Sequence, residues 1–157
     1  MGTIALRPVE DADLDALFDQ MRDPESVRMA AFTPADPDDR AAFDAHQARV
    51  RTAPDITHRA ITLDGVLAGS IASFVMDGGT EVTYWVDRRL WGRGIAREAL
   101  ALLLELVTVR PLFARAASDN VGSLKVLAAA GFVPIGTEVS FASGRNAEIE
   151  ETIMRLD

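Results

Sequence analysis

Four arginines and two glycines fall within one short run, Arg88-Arg89-Leu90-Trp91-Gly92-Arg93-Gly94-Ile95-Ala96-Arg97, with no acid among them. Glycines let a backbone approach a ligand closely and turn its N–H groups inward. If a helix follows, its first turn adds unpaired N–H groups and partial positive charge. Such a run suits an anion, and Arg89 and Arg93 add full charges to it. It is not the phosphate loop of nucleotide hydrolases, because no G-x-x-x-x-G-K-[ST] occurs. In G-x-G-x-x-G register the third glycine is replaced by Arg97, whose bulk spoils close helix–strand packing, so the dinucleotide fingerprint fails too. Taken alone, Gly-x-Gly is equally well a tight strand-to-helix turn.

A second constellation lies further on, at Asn120-Val121-Gly122-Ser123, with Leu127 and then Gly131-Phe132 behind it. Asn120 and Ser123 stand three apart at the expected start of a helix, a spacing that lets both face one cleft. Each has a plainer reading, as a helix cap and as an early helical residue. Nucleophilic and metal chemistry find little support. The chain has no cysteine and only two histidines, His46 and His58. No metal site is expected.

The elements that must carry these residues follow from pattern and punctuation. Strands are expected over 3–7, 56–63, Val66–Met76, 80–86, Leu112–Ala117, 133–141 and Ala147–Leu156. Helices are expected over 10–22, ended by Asp23-Pro24, then from Pro37 to just before Pro54, over 95–109, and from Asn120 to Ala130. Residues 25–36 read as a loop. Asp64-Gly65 and Gly78-Gly79 read as hairpin turns. The fold class is therefore α/β in the mixed α+β sense: a mostly antiparallel sheet of about seven strands, with helices on both faces. One strand–helix–strand unit forms its parallel pair.

Composition bounds the partners. The 157 residues form a single expected domain, 1–157, with 48% hydrophobic residues and a net charge of −8. No nucleic acid or membrane partner is expected of so acidic a chain. No apolar stretch approaches the ~20 residues of a membrane span. With no apolar leader at its start, the chain is expected to be soluble and cytoplasmic. Eleven acids and three arginines lie in residues 10–44. A cationic ligand would be drawn to such a surface, although the same acids also read as the solvated face of two helices.

The combined motifs resemble the GNAT superfamily of N-acetyltransferases. Arg89, Gly92 and Gly94 match its [Q/R]-x-x-G-x-[G/A] signature, and Asn120, Ser123 and Gly131-Phe132 match its later N-x-x-S/A and Gly-Phe elements. Tyr84-Trp85-Val86-Asp87, the tryptophan of the loop and Glu98-Ala99 look like the RimJ/RimL branch. So, more weakly, do Leu6-Arg7-Pro8, Asp23-Pro24-Glu25 and Val66-Leu67-Ala68-Gly69. The resemblance spans essentially the whole chain.

It implies acetyl-CoA as cosubstrate, held where the two parallel strands splay apart. The pyrophosphate would sit on the N–H groups of Trp91, Gly92, Arg93, Gly94, Ile95 and Ala96, with Arg89 and Arg93 adding charge. The pantetheine arm would pair with the backbone of Trp85 and Val86. Asn120 would reach that arm, and Ser123 would lie near the thioester sulfur. Many members carry a tyrosine seven residues after the asparagine to protonate the departing thiolate. Here Leu127 stands there, which leaves Ser123 as a hydrogen-bond donor to the thiolate, or a thiolate that leaves unassisted. Glu81 stands where the family often places its catalytic carboxylate, though a merely structural glutamate fits the position too. An α-amine with pKa ~7.8 is roughly 15% neutral at pH 7, and a lysine at ~10.4 only about 0.04%, so an N-terminus needs little help from such a base.

The implied activity is acetyl transfer to a primary amine, on a protein N-terminus or a small molecule, by direct attack. A non-catalytic acyl-CoA-binding module is the alternative. Monomer and homodimer both stay open, a dimer being common in such enzymes.

Overall fold

The computed structural model describes residues 2–157. Seven strands form one sheet in the order β1-β2-β3-β4-β5-β7-β6. They are β1 (Ile4–Pro8), β2 (Thr57–Leu63), β3 (Val66–Met76), β4 (Gly79–Val86), β5 (Leu112–Ala117), β6 (Val133–Ala142) and β7 (Ala147–Leu156). Every neighbouring pair is antiparallel except β4 and β5. The helices are α1 (Leu14–Arg22), α2 (Pro24–Ala30), α3 (Arg40–Thr52), α4 (Ile95–Leu106) and α5 (Val121–Ala129). The expected mixed fold with one parallel pair is what forms.

Neighbouring residues on β2 show how the layers are arranged, since successive side chains of a strand point to opposite faces. Ile61 joins the main core with Ile95, Leu100 and Leu103 of α4 and Leu127 of α5. Ala60 joins Val9, Leu17 of α1 and Phe43 of α3. So α4 and α5 cover one face, and α1 and α3 the other. The buried side chains of α4 are Ile95, Ala99, Leu100 and Leu103. Each leucine contributes ~1.5–3 kcal/mol by leaving water, more than any propensity term in that helix.

Three local expectations are corrected. Residues 25–36 are not all loop, because Pro24–Ala30 is helical. Asp23-Pro24 ends α1, but it also opens α2: the Asp23 carboxylate accepts from the Ser26 N–H at 3.0 Å, and Pro24 takes the first position, where a missing N–H costs nothing. The turn before β4 is Asp77-Gly78 rather than Gly78-Gly79. Both residues have positive φ, 52° and 77°, as a two-residue hairpin turn of this type requires. Finally, α4 stops at Leu106 rather than Val109.

Candidate functional site

The parallel pair holds for only two registers, Thr80 with Leu112 and Glu81 with Phe113. Beyond them β4 and β5 separate, and the gap opens into a cavity of about 510 Å³. Its walls are β4 (Tyr84, Trp85, Val86), the loop and first turn of α4, the start of α5 and one side of α2 (Ser26, Met29, Ala30).

The loop between β4 and α4 is shaped by its glycines. Gly92 and Gly94 have φ of 79° and 75°, and a Cβ at either would meet no atom within 4 Å. The space above them is open, so backbone conformation and approach to the cavity are what call for glycine there. The Trp91 N–H is spent on the Arg88 carbonyl at 3.2 Å. Among the described residues, the N–H groups of 92–97 find no backbone or side-chain acceptor, and Gly94 caps α4 without a side-chain bond. This row of unpaired donors at the head of a twelve-residue helix is suited to an oxyanion. It begins one residue later than expected, since Trp91 is excluded, and it ends one residue later, at Arg97.

The arginines divide differently from expectation. Arg88 is bound to Asp23 through Nε at 2.7 Å and Nη2 at 3.2 Å. That contact holds the Asp23 carboxyl down to about 2. Arg89 turns back onto Asp87, with Nη2 to Oδ2 at 2.6 Å, and neither it nor Arg93 lines the cavity. Arg97 does line it. Among the described residues, Arg93 and Arg97 have no ionic partner within 4 Å. In the sequence Arg97 stood out only as the residue that breaks a dinucleotide fingerprint. Its place in the first turn of α4 was the available signal for a cavity role.

The remaining expected residues gather unevenly. Trp85, Val86, Trp91, Gly92, Gly94, Ile95, Ala96, Asn120 and Ser123 all line the cavity. Trp91 is 40% exposed at its edge, with its indole N–H donating to the Val86 carbonyl at 2.9 Å. The Trp85 indole donates to the Gln20 carbonyl at 3.1 Å, tying β4 to α1. Asn120 does cap α5: its Oδ1 accepts from the Ser123 N–H at 3.3 Å, and its Nδ2 donates to the Met29 carbonyl at 3.4 Å. Ser123 Oγ lies 2.7 Å from the Tyr84 hydroxyl. Leu127 is 1% exposed, wholly within the core.

Glu81 is set apart. It points to the face opposite Val82, does not line the cavity, and is buried. Its Oε1 accepts from Arg115 Nε at 2.9 Å. Arg115 also reaches Glu138 at 2.9 Å and Glu151 at 3.3 Å. Burial pushes the Glu151 carboxyl up, against the pull of Arg115.

Helix α2, which the sequence hid, is fastened at three points. Arg88 holds its cap, Asn120 holds Met29, and the Gly144 N–H donates to Ala31 at 2.7 Å. Arg145 adds bonds to the Arg28 carbonyl and to Asp119.

A family model described as the acetyltransferase (GNAT) domain matches residues 3–133. No curated protein matches the chain in sequence. Among solved structures, a phosphinothricin acetyltransferase from Sinorhizobium meliloti in complex with AcCoA has a TM-score of 0.82 at 19% identity, covering 98% of this chain and 88% of that one. The Mycobacterium smegmatis RimJ in complex with CoA-disulfide has 0.80 at 24% identity, covering 99% and 82%. A Vibrio cholerae spermidine N-acetyltransferase in complex with CoA and spermine has 0.82 at 15% identity, covering 98% and 94%.

Proposed function

The chain belongs to the acetyltransferase (GNAT) domain family, and from that membership we propose that it moves the acetyl group of acetyl-CoA onto a primary amine by direct attack, with both substrates bound together. One observation carries this reading: the row of unpaired N–H groups at 92–97 opens onto a cavity between strands that have parted. A CoA diphosphate fits that row, with Arg97 and Arg93 as its counter-charges. The amide-bearing pantetheine arm fits the strand edge that β4 exposes once β5 has left it. Ser123 would lie at the sulfur. The family's RimJ-like branch and an N-terminal α-amine acceptor are the finer form of the proposal. They are supported by the motifs around Tyr84-Trp85-Val86-Asp87 and by the modest demand that an α-amine places on a base.

The acceptor enters from the α1–α3 face in this proposal, where Glu81 takes up the proton that the amine releases, through water. A non-catalytic acyl-CoA-binding module is the second reading. It draws on the Glu81–Arg115 ion pair and on Leu127: the one carboxylate among the described residues that line the cavity, on Asp119, is held by Arg145, and the tyrosine's place is taken by a leucine.

Release of CoA thiol, measured across alanine-terminated peptides, polyamines and amino acids, separates the two. The enzyme reading expects turnover with at least one amine. It also expects Glu81→Gln to lower kcat at pH 7 by ~10-fold or more, with acetyl-CoA affinity unchanged and the deficit shrinking toward pH 9. Tight acetyl-CoA binding with no turnover on any amine supports the module instead.

A further inference from the structure

Tyr84 is the chain's single tyrosine. Its place on β4 turns its ring toward the α4–α5 core, where it packs partly buried. The hydroxyl reaches across to α5 and meets Ser123 twice: Oγ at 2.7 Å and the backbone carbonyl at 3.2 Å. Both side chains line the cavity. One turn beyond Ser123, Leu127 brings no polar atom and is sealed in the core. The other cavity-lining hydroxyl, on Ser26, already donates to Asp23 at 3.1 Å.

A hydroxyl has one proton to give, and the Ser123 carbonyl can only accept, so the two contacts compete for the phenol's proton. If the phenol gives its proton to Ser123 Oγ, the shorter of its two contacts, the Ser123 proton has no return path to Tyr84 and turns to the cavity. We propose that Tyr84 is a positioning residue for acyl transfer: its phenol donates to Ser123 Oγ and so aims the Ser123 hydroxyl proton at the sulfur of the departing CoA. This rests on the acetyltransferase reading above.

The step balances without a proton from tyrosine. The amine lone pair forms the C–N bond at the thioester carbon, and the C–S bond breaks. Sulfur keeps that pair and leaves as thiolate, while the amine proton passes to water. The thiolate is stabilised by the Ser123 O–H, which stays bonded to its oxygen. Burial pushes the Tyr84 phenol up to about 12, so it remains a donor throughout the working pH range. Against a thiol near ~8.5, full transfer from such a phenol is disfavoured by roughly three orders of magnitude. The pair works by hydrogen bonding.

The test needs no acceptor. Equilibrium affinities of CoA and of desulfo-CoA, which lacks the sulfur, are measured by calorimetry between pH 7 and 9.5. Wild type, Tyr84→Phe, Ser123→Ala and the double variant are compared. The ratio of the two affinities cancels everything but the sulfur. It should rise roughly tenfold with pH in the wild type, the size of one hydrogen bond to a charged group. In Tyr84→Phe and in Ser123→Ala the rise should fall below threefold, and the double variant should match Ser123→Ala, since the tyrosine acts through the serine. A wild-type ratio that is flat with pH overturns the proposal, as does a full rise in Tyr84→Phe or a double variant clearly worse than Ser123→Ala. If neither compound binds wild type, the acetyltransferase reading itself falls, and this inference falls with it.

Discussion

On the α4–α5 face of the sheet, Ile95, Ala99, Leu100, Leu103 and Leu127 pack without a polar group among them, and the exposed backbone donors gather at one end, over 92–97. On the α1–α3 face, charges meet in pairs, some local and some across long stretches of chain: Arg7 with Asp13, Arg51 with Asp11, Arg40 with Asp15 and Asp44, Arg115 with Glu81. Gln20, Gln47 and His58 on this side each keep a buried polar atom without a partner among the described residues, at a cost of ~1–3 kcal/mol apiece. One face joins an apolar core to a row of backbone donors. The other carries the ion pairs and the buried polar groups, and in the proposal above it is the side that meets the acceptor.

The largest expected effect lies on the first face. Gly94→Asp puts a side chain and a negative charge at a φ of 75° beside the donor row. Acetyl-CoA affinity measured by calorimetry should fall at least a hundredfold, with NAD and ATP binding to neither protein. An affinity within threefold of wild type would mean that the row does not hold the diphosphate.

The second effect belongs to the polar face and shows in stability. Burial, with His46, Arg51 and Arg59 nearby, pushes His58 down to about 4, against ~6.5 in an unfolded chain. Above pH 6.5 neither state carries the proton, and the stability is whole. As pH falls from 6.5 toward 4, the unfolded chain takes up a proton that the folded one refuses, and stability is lost, by on the order of 3 kcal/mol across the window. His58→Leu should flatten the fall of Tm over that range relative to wild type. Parallel curves would show that His58 titrates normally.

The smallest effect concerns the acids of residues 10–44. Among the described residues, seven of the eleven are ion-paired: Asp11, Asp13, Asp15, Asp23, Glu25, Asp38 and Asp44. Their partners include Arg7, Arg51 and Arg88 from outside the stretch, which a local count of charge does not see. Asp39 caps α3 through the Ala42 N–H at 3.0 Å. Neutralising Asp36, Asp38 and Asp39 together should lower kcat/KM for a cationic amine by less than about threefold at low salt, and not at all at 1 M, where the Debye length is ~3 Å. A tenfold loss at low salt would restore the larger role that the acidic composition suggests.

What could be read from the sequence follows the same division. The donor row was legible because Gly92, Gly94 and the first turn of α4 are contiguous, so local geometry builds it. The mostly antiparallel sheet with one parallel pair around it followed from hairpin turns and a single crossover. Helix α2 was not legible, because Asp23-Pro24 serves as both a stop and a start, and the helix is held by Arg88, Asn120 and Gly144 from distant parts of the chain. The ion pairs of Arg89 and Glu81 were not legible either. Their positions were right, but Asp87 and Arg115 claimed their charges. Tyr84 was visible as the lone tyrosine, yet its hydroxyl meets Ser123 only once β4 and α5 are packed.

Amide hydrogen exchange of the wild-type protein, with and without acetyl-CoA, tests the central claim most directly. The N–H groups of 92–97 lack partners in the free chain and should exchange fast there. With acetyl-CoA bound, they should become the most strongly protected new segment, while α3 stays unchanged. Exchange at 92–97 that is indifferent to acetyl-CoA, at concentrations where binding is saturated, would contradict the account.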